Sequence, residues 1–392
     1  MTGALLVVLI GPLSRNMALE YVRFNTLGLL TAMMIIVSVT KKTGFFQYIS
    51  FKLVKIADGR PIRILIFFSI VTAISSALMD NVTTVVMVVP IVLTVCHSLE
   101  LTPLPFLVTE IISSNIGGTA TLIGDPPNIM IGTANNLNFV QFIYNLGPII
   151  LIIYILTLLL IYLIYRHQLE VDRKNIKDKL ERLNSKAEIE DKKLAYKSLC
   201  ILGLTIIGFV LHKVIGIHTV TVAIIGALTL LLVSGVNVRE IFDDVEWATI
   251  FFFGGLFILV GALEEVGVLN FMANKIIELT NGKLGPTSSL FLWAAGLSSG
   301  FIDNIPFVAT AIPIIKKITH GNQTYLWWSL SLGACLGGNM TLIGASANVI
   351  IAGIAEDNGE KIKFIDYLRV GAPLTIMTLI ISQLYIYVRY IL

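Results

Sequence analysis

Four apolar runs, Phe24 to Thr40, Ile149 to Tyr165, Ser198 to Val214 and Pro373 to Val388, are long enough to cross the roughly 30 Å hydrocarbon core of a bilayer. Lipid offers no partner to a backbone N–H or C=O, so only helices and closed barrels can span it. A barrel would be written as alternating segments of about ten residues, whereas these stretches are continuously apolar. The composition agrees, because 56% of the 392 residues are hydrophobic and only 14% charged. With a mean hydropathy of +0.85, the chain lies outside the range of soluble domains. The expected class is an all-α polytopic membrane protein. A net charge of +3 gives no reason to expect a nucleic-acid partner. Cys96, Cys200 and Cys335 lie apart in apolar segments, and the five histidines form no ligand-spaced set, so neither disulfides nor a structural metal is expected. No phosphate loop of the Walker type is present, which argues against ATP hydrolysis by this chain and against an enzyme.

The chain is also a duplication. Ser75-Ser76-Ala77-Leu78-Met79-Asp80-Asn81 returns as Ser298-Ser299-Gly300-Phe301-Ile302-Asp303-Asn304, and Pro90 as Pro313, all at an offset of 223. Gly117-Gly118, Thr121-Leu122-Ile123-Gly124 and Asn128 return as Gly337-Gly338, Thr341-Leu342-Ile343-Gly344 and Asn348, at an offset of 220. Charge bias predicts that the copies are inverted, since Lys and Arg are retained on the cytoplasmic side. Lys41 to Arg63 carries six basic residues, whereas the matching Glu264 to Pro286 has only Lys275 and Lys283 beside three glutamates. Asn135 to Leu146 is uncharged, and its counterpart holds Lys361, Lys363 and Arg369. Two loops dissent: Lys316 and Lys317 fall on the expected outer side, and the acidic Arg239 to Glu246 on the inner side. The expected location is the inner membrane, with the basic linker 167–195 cytoplasmic. Gly3-Ala4-Leu5 aligns with Gly226-Ala227-Leu228 inside an apolar run, so the first copy is expected to begin mid-helix, after a late start or a truncation.

The repeat divides the chain into scaffold (1–60, 136–286 with the linker, and 354–392) and transport regions (61–135 and 287–353), the latter each holding one re-entrant hairpin and one broken helix. About ten or eleven membrane segments are expected besides the hairpins. Phe45 to Ile56 is amphipathic and reads as an interfacial arm.

Ionisable groups inside apolar runs are costly and point to function. Asp80 and Asp303 each stand between two apolar arms, at the tip of a hairpin. There Asp and Asn can cap the second arm and offer remaining oxygens to a cation or proton, or they can act as caps alone. The stretch from Asn115 to Asn128 cannot be one helix, because Pro126-Pro127 follows Gly117, Gly118 and Gly124. A broken helix frees carbonyls and amides for a solute. The paired glycines fit either that role or close helix packing. The expected ion- or substrate-binding set is therefore Asp80, Asn81, Thr84, Asn115, Gly117, Gly118, Thr119, Thr121 and Asn128 in the first copy, with Asp303, Asn304, Gly337, Gly338, Asn339, Thr341 and Asn348 in the second. Ala345 replaces Asp125, so the half-sites differ. Asp125 and Glu110 are candidate proton carriers, and Glu110, whose counterpart is Leu330, reads equally as a carboxyl bonded to a neighbouring helix.

The blocks Asp80 to Thr84, Ile116 to Asn128, Phe301 to Phe307 and Leu336 to Asn348 resemble the ion transporter superfamily, on the branch of the bacterial relatives of the melanosomal P protein. Arsenite pumps, sodium/proton antiporters and citrate or dicarboxylate carriers are in the same superfamily. The resemblance implies a homodimer in which transport domains move against a scaffold by alternating access, coupled to H+ or Na+ with no other cofactor. In its sodium-coupled carboxylate carriers each hairpin tip reads Ser-Asn-Thr, whereas this chain has Asp80-Asn81-Val82 and Asp303-Asn304-Ile305. An aspartate at the tip favours cation/proton exchange, or a neutral solute such as arsenous acid in arsenite or antimonite efflux, over a free carboxylate. Dicarboxylate or citrate transport stays as the alternative. So do an ion channel of the same fold and the membrane subunit of an ATP-driven complex with a soluble ATPase partner.

Overall fold

A computed structural model describes residues 1–169, 189, 191–319 and 324–392. Most of the linker expected to be cytoplasmic lies outside these residues. The described residues are helical, with no strand among them. The first copy runs through α1 (Thr2–Ile10), α2 (Arg15–Tyr21), α3 (Phe24–Lys41), α4 (Phe45–Ile56), α5 (Pro61–Leu78), α6 (Asn81–Leu99), α7 (Pro103–Thr119), α8 (Pro126–Asn135) and α9 (Phe139–Tyr165). After the linker comes α10 (Lys192–Ile215), which has no mate in the first copy. The second copy comprises α11 (Thr219–Ser234), α12 (Val238–Asp243), α13 (Trp247–Glu265), α14 (Val268–Thr280), α15 (Leu284–Ser299), α16 (Asn304–Thr319), α17 (Thr324–Gly337), α18 (Ser346–Asp357) and α19 (Phe364–Ile386).

The duplication seen in the sequence reappears in the helix boundaries. Phe24 and Trp247, Phe45 and Val268, Pro61 and Leu284, and Asn81 and Asn304 all begin helices 223 residues apart. Local chemistry sets these starts. Pro61, Pro103 and Pro126 stand in the first turn, where the missing N–H costs nothing. Asn138 and Gln141 form a reciprocal capping box ahead of α9. Gly44 and Gly267 take the same left-handed conformation before α4 and α14.

Contacts between the copies come in exchanged pairs. Helix α6 packs on α18 and α16 on α8; α3 packs on α11 and α13 on α1; α7 meets α18 and α17 meets α8. This is the pattern of a pseudo-two-fold axis, and it leaves neither copy with a complete core of its own.

Among the described residues, seven helices are long and apolar enough to cross a membrane by length and composition: α3, α5, α6, α9, α10, α13 and α19, with α11 shorter. Five of them lie outside the hairpins, fewer than the ten or eleven segments expected besides these, because α1 and α11 are short and each broken helix is divided into pieces too short to qualify alone. The two hairpins also differ. Arms α5 and α6 have 18 and 19 residues, full spanning length, whereas α15 and α16 have 16 each. Exposed leucines and isoleucines along α9 and α10, such as Leu151, Ile155, Leu159, Leu204 and Ile207, give a surface suited to lipid. Cys96 and Cys335 are buried, but Cys200 is exposed on that α10 face rather than in the core.

Candidate functional site

Both Asp-Asn motifs sit where two helices meet across a turn of a few residues. Asp80 is the N-cap of α6, its carboxylate accepting from the Thr83 backbone amide and the Thr83 hydroxyl, each at 2.7 Å. Asp303 precedes α16 in the same way. One of its oxygens accepts from the Ile305 amide at 3.1 Å and the other from the Ser346 hydroxyl at 2.7 Å. A capping carboxylate uses only part of its acceptor capacity, and both aspartates line a cavity of about 510 Å³.

Two further acids reach the same cavity. Asp125 is buried at the N-terminus of α8, with Asn304 Nδ2 3.4 Å from its carboxylate. Glu246 comes from the N-terminus of α13, where Thr249 donates a hydrogen bond of 3.0 Å to it. Asn81, Asn304, Ser346, Leu30, Met34 and Phe252 complete much of the wall, and among the described residues no Lys, Arg or His is part of it. The four acids are spread around the wall: among the described residues no three His, Cys, Asp or Glu side chains are close enough to hold one metal ion together.

Beneath the hairpin tips, asparagines tie the two copies to each other. Asn128 donates to the carbonyls of Gly118, Thr119 and Thr121, which closes its own break, and its oxygen accepts from Ser331 and Cys335 of the other copy. Asn348 does the same in mirror fashion, donating to Gly338 and Thr341 while its oxygen accepts from Asn115 at 2.9 Å. Asn115 also donates to Asn339 at 2.9 Å and accepts from Asn81 at 3.2 Å, linking a hairpin tip to both breaks. The Asn339 amide nitrogen is buried without a partner.

Of the expected residues, Asp80, Asn81, Asp125, Asp303 and Asn304 are thus brought to one cavity. Asn115, Asn128, Asn339 and Asn348 form the layer behind it. The threonine hydroxyls are spent on backbone carbonyls: Thr84 on Asp80, Thr119 on Asn115, Thr121 on Ala77 and Thr341 on Gly300. The glycines are points of close approach. A Cβ on Gly117 would lie 2.2 Å from the Ala73 carbonyl oxygen, one on Gly337 2.3 Å from that of Gly296, one on Gly118 2.6 Å from that of Gly124, and one on Gly338 3.1 Å from the Ala345 Cβ. Of the two roles open to them, the geometry favours packing. Glu110 is buried away from the cavity, between α7 and α5, and accepts a hydrogen bond from Thr72. Glu246 is the site residue that sequence reasoning missed. It closes the run from Arg239 to Glu246 and looked like ordinary loop charge, although an acid directly before an apolar helix was the available signal.

The profile of the family described as citrate transporter matches residues 1–333. An uncharacterized transporter of Mycobacterium tuberculosis is 41% identical over 94% of this chain and 86% of its own length. The 46 kDa membrane protein of Mycobacterium leprae is 37% identical over 100% of this chain and 93% of its own. The human P protein is 31% identical over 95% of this chain, a match that spans 54% of that longer relative. A match over most of the chain, together with the apolar helices, makes this a multi-pass membrane transporter that belongs to the citrate transporter family.

Proposed function

We propose that this protein is a secondary transporter whose central cavity handles a cation, H+ or Na+, in exchange or coupled transport. The observation that carries the reading is the wall of that cavity, which presents four carboxyl groups and, among the described residues, no basic side chain. A carboxylate there is costly unless it is protonated or paired, and the cheapest partner is a bound proton or metal cation. The hairpin-tip aspartates, which accept from Thr83 and Ser346, can change partner without unfolding, since each retains free lone pairs. Glu246 belongs to the scaffold and the three aspartates to the transport regions, so a movement between the two bodies would alter the field around the ion. The same reading carries an inner-membrane location, a cytoplasmic linker 167–195 and a homodimer.

A second reading, a carboxylate carrier, draws on the family's printed name. In this cavity a citrate anion would have to enter with cations or protons enough to offset the four acids. Arsenite or antimonite efflux fits the same wall as transport of a neutral hydroxide in exchange for a proton.

Reconstitution of the purified chain in proteoliposomes separates these. Under an imposed pH gradient, sodium, arsenite, citrate and chloride are added separately and the luminal pH is followed. A response to sodium alone supports cation/proton exchange. A response confined to citrate or to arsenite moves the assignment to that substrate, and none at all removes the coupled-transport reading.

A further inference from the structure

At the opposite end of α3 from Lys42 lies a second cavity, of about 460 Å³, lined by Arg23, Asn25, Thr26, Thr133, Lys316 and Glu20. Among the described residues it holds two basic side chains and one acid, whereas the first holds acids alone. Among the described residues no carboxylate is within 4.0 Å of Arg23 or Lys316, because the nearby Glu264 is taken by Lys317 at 3.1 Å. The Arg23 guanidinium leans toward the ring of Phe257, 5.9 Å from its centroid, and its Nη1 is buried without any hydrogen-bond partner. A buried guanidinium nitrogen with nothing to donate to is costly, and an acceptor bound in the cavity would remove that cost.

The position of this cavity gives it meaning. Arg23 and Thr26 stand at the N-terminus of α3 as Glu246 and Thr249 stand at the N-terminus of α13, 223 residues later. The two cavities therefore use equivalent segments of the two copies. They also share walls, since α3, α8 and α16 each contribute to both. On α3, Thr26 of one cavity and Leu30 of the other are one turn apart, roughly 6 Å along the axis. Thr26 and Thr133, hydrogen-bonded at 2.7 Å, join α3 to α8 in that wall. Lys316, whose charge contradicts the side assigned to its loop, thereby gains a use.

We propose that the Arg23–Lys316 vestibule, next to the acidic cavity, binds a small multivalent anion of the carboxylate or phosphate class. Two cationic donors of different geometry suit it: Arg23 presents a planar fork and Lys316 a mobile point charge. Free anions and the phosphate of a lipid headgroup share this chemistry.

The test is binding, so it does not depend on which solute is transported. Thermal unfolding of the purified full chain in detergent is followed by tryptophan fluorescence in citrate, phosphate or chloride at fixed sodium and ionic strength. Citrate or phosphate is expected to raise the midpoint above chloride. Arg23→Gln and Lys316→Gln should each raise the half-saturating concentration about tenfold or more, while Lys316→Arg keeps it. Lys316 is exposed at the far end of α16, so its variant tests the site even if Arg23→Gln folds poorly. A midpoint indifferent to anion identity, or a response unchanged in the Lys316→Gln protein, overturns the proposal. Repetition in nanodiscs distinguishes the sources: a response present in phosphatidylcholine, whose phosphate is offset by choline, and abolished by phosphatidylglycerol identifies the phosphate of an anionic lipid headgroup as occupant, and one that persists identifies a free anion.

Discussion

The two broken helices occupy equivalent places and do different chemistry. In the first copy Asp125 stands ahead of α8 and reaches the cavity; in the second, Ala345 stands ahead of α18. Asn115, with hydrogen bonds to three other asparagines, is matched by Cys335, with one weak bond to Asn128 at 3.6 Å. Thr119 bonds its own helix, whereas its counterpart Asn339 crosses to the other copy. Duplication thus kept the frame and let the contents diverge. The frame is what the glycine contacts and asparagine bonds hold, and the contents are the side chains packed within it.

The comparison can be broken most severely at the hairpin tips. Asn caps a helix about as well as Asp, so Asp80→Asn and Asp303→Asn should fold while losing the charge. Transport in proteoliposomes should fall on the order of a hundredfold in each, and Asp125→Asn should behave likewise, if each carboxylate supplies roughly 3 kcal/mol to the bound ion. Full activity in all three variants would reduce them to caps. Moving the acid across the pseudo-axis sharpens the point: Asp125→Ala combined with Ala345→Asp restores transport only if the half-sites are interchangeable, and we expect no rescue.

Next come the contact glycines. Gly117→Ala and Gly337→Ala each drive a methyl into a backbone carbonyl and should cost about 3 kcal/mol or more, read as a large drop in detergent thermal stability. Gly254→Ala, where no heavy atom stands within 4 Å of the added carbon, should gain a few tenths to about 1 kcal/mol of helix propensity. Asn115→Ala should destabilise by about 2 kcal/mol, because its three partners are left buried, and Cys335→Ala by less than half of that. The smallest effect concerns the pair Lys42–Glu240, 2.7 Å apart and exposed. A hydrogen bond from Lys42 holds the Glu240 carboxyl below the usual carboxylate range. Its slight stabilisation is present above the unfolded-state value and is lost as pH falls through the folded one. Lys42→Gln should remove that slight stabilisation at neutral pH and, with it, the acid-side slope.

Much of this frame was legible in the residues. Asp80, Asp303 and Asn128 stand out because polar groups in apolar runs are rare, and the repeat pairs them without any structure. The role of Gly117 was not legible, since a glycine that opens a backbone and one that admits a neighbour are written identically; only the Ala73 carbonyl distinguishes them. Glu246 was hidden for a related reason. Its neighbours Asp243 and Asp244 mark an ordinary acidic loop, and nothing local says that α13 turns this one acid toward three aspartates from elsewhere in the chain. Glu110 misled in the opposite direction, being buried and charged but placed against Thr72 rather than the cavity.

The cross-copy asparagine bonds carry a cost in time. Asn115 waits for Asn339, 224 residues further along the chain, and at about 5–20 residues per second a ribosome needs roughly ten to forty-five seconds to make that stretch. Throughout that interval the first half sits in the bilayer with an amide that has no partner and a core that has no second wall. The half-finished chain is therefore the form on which membrane proteases can act, and substitutions at Asn115 or Asn348 should lower the amount of protein made even where the completed molecule would tolerate them.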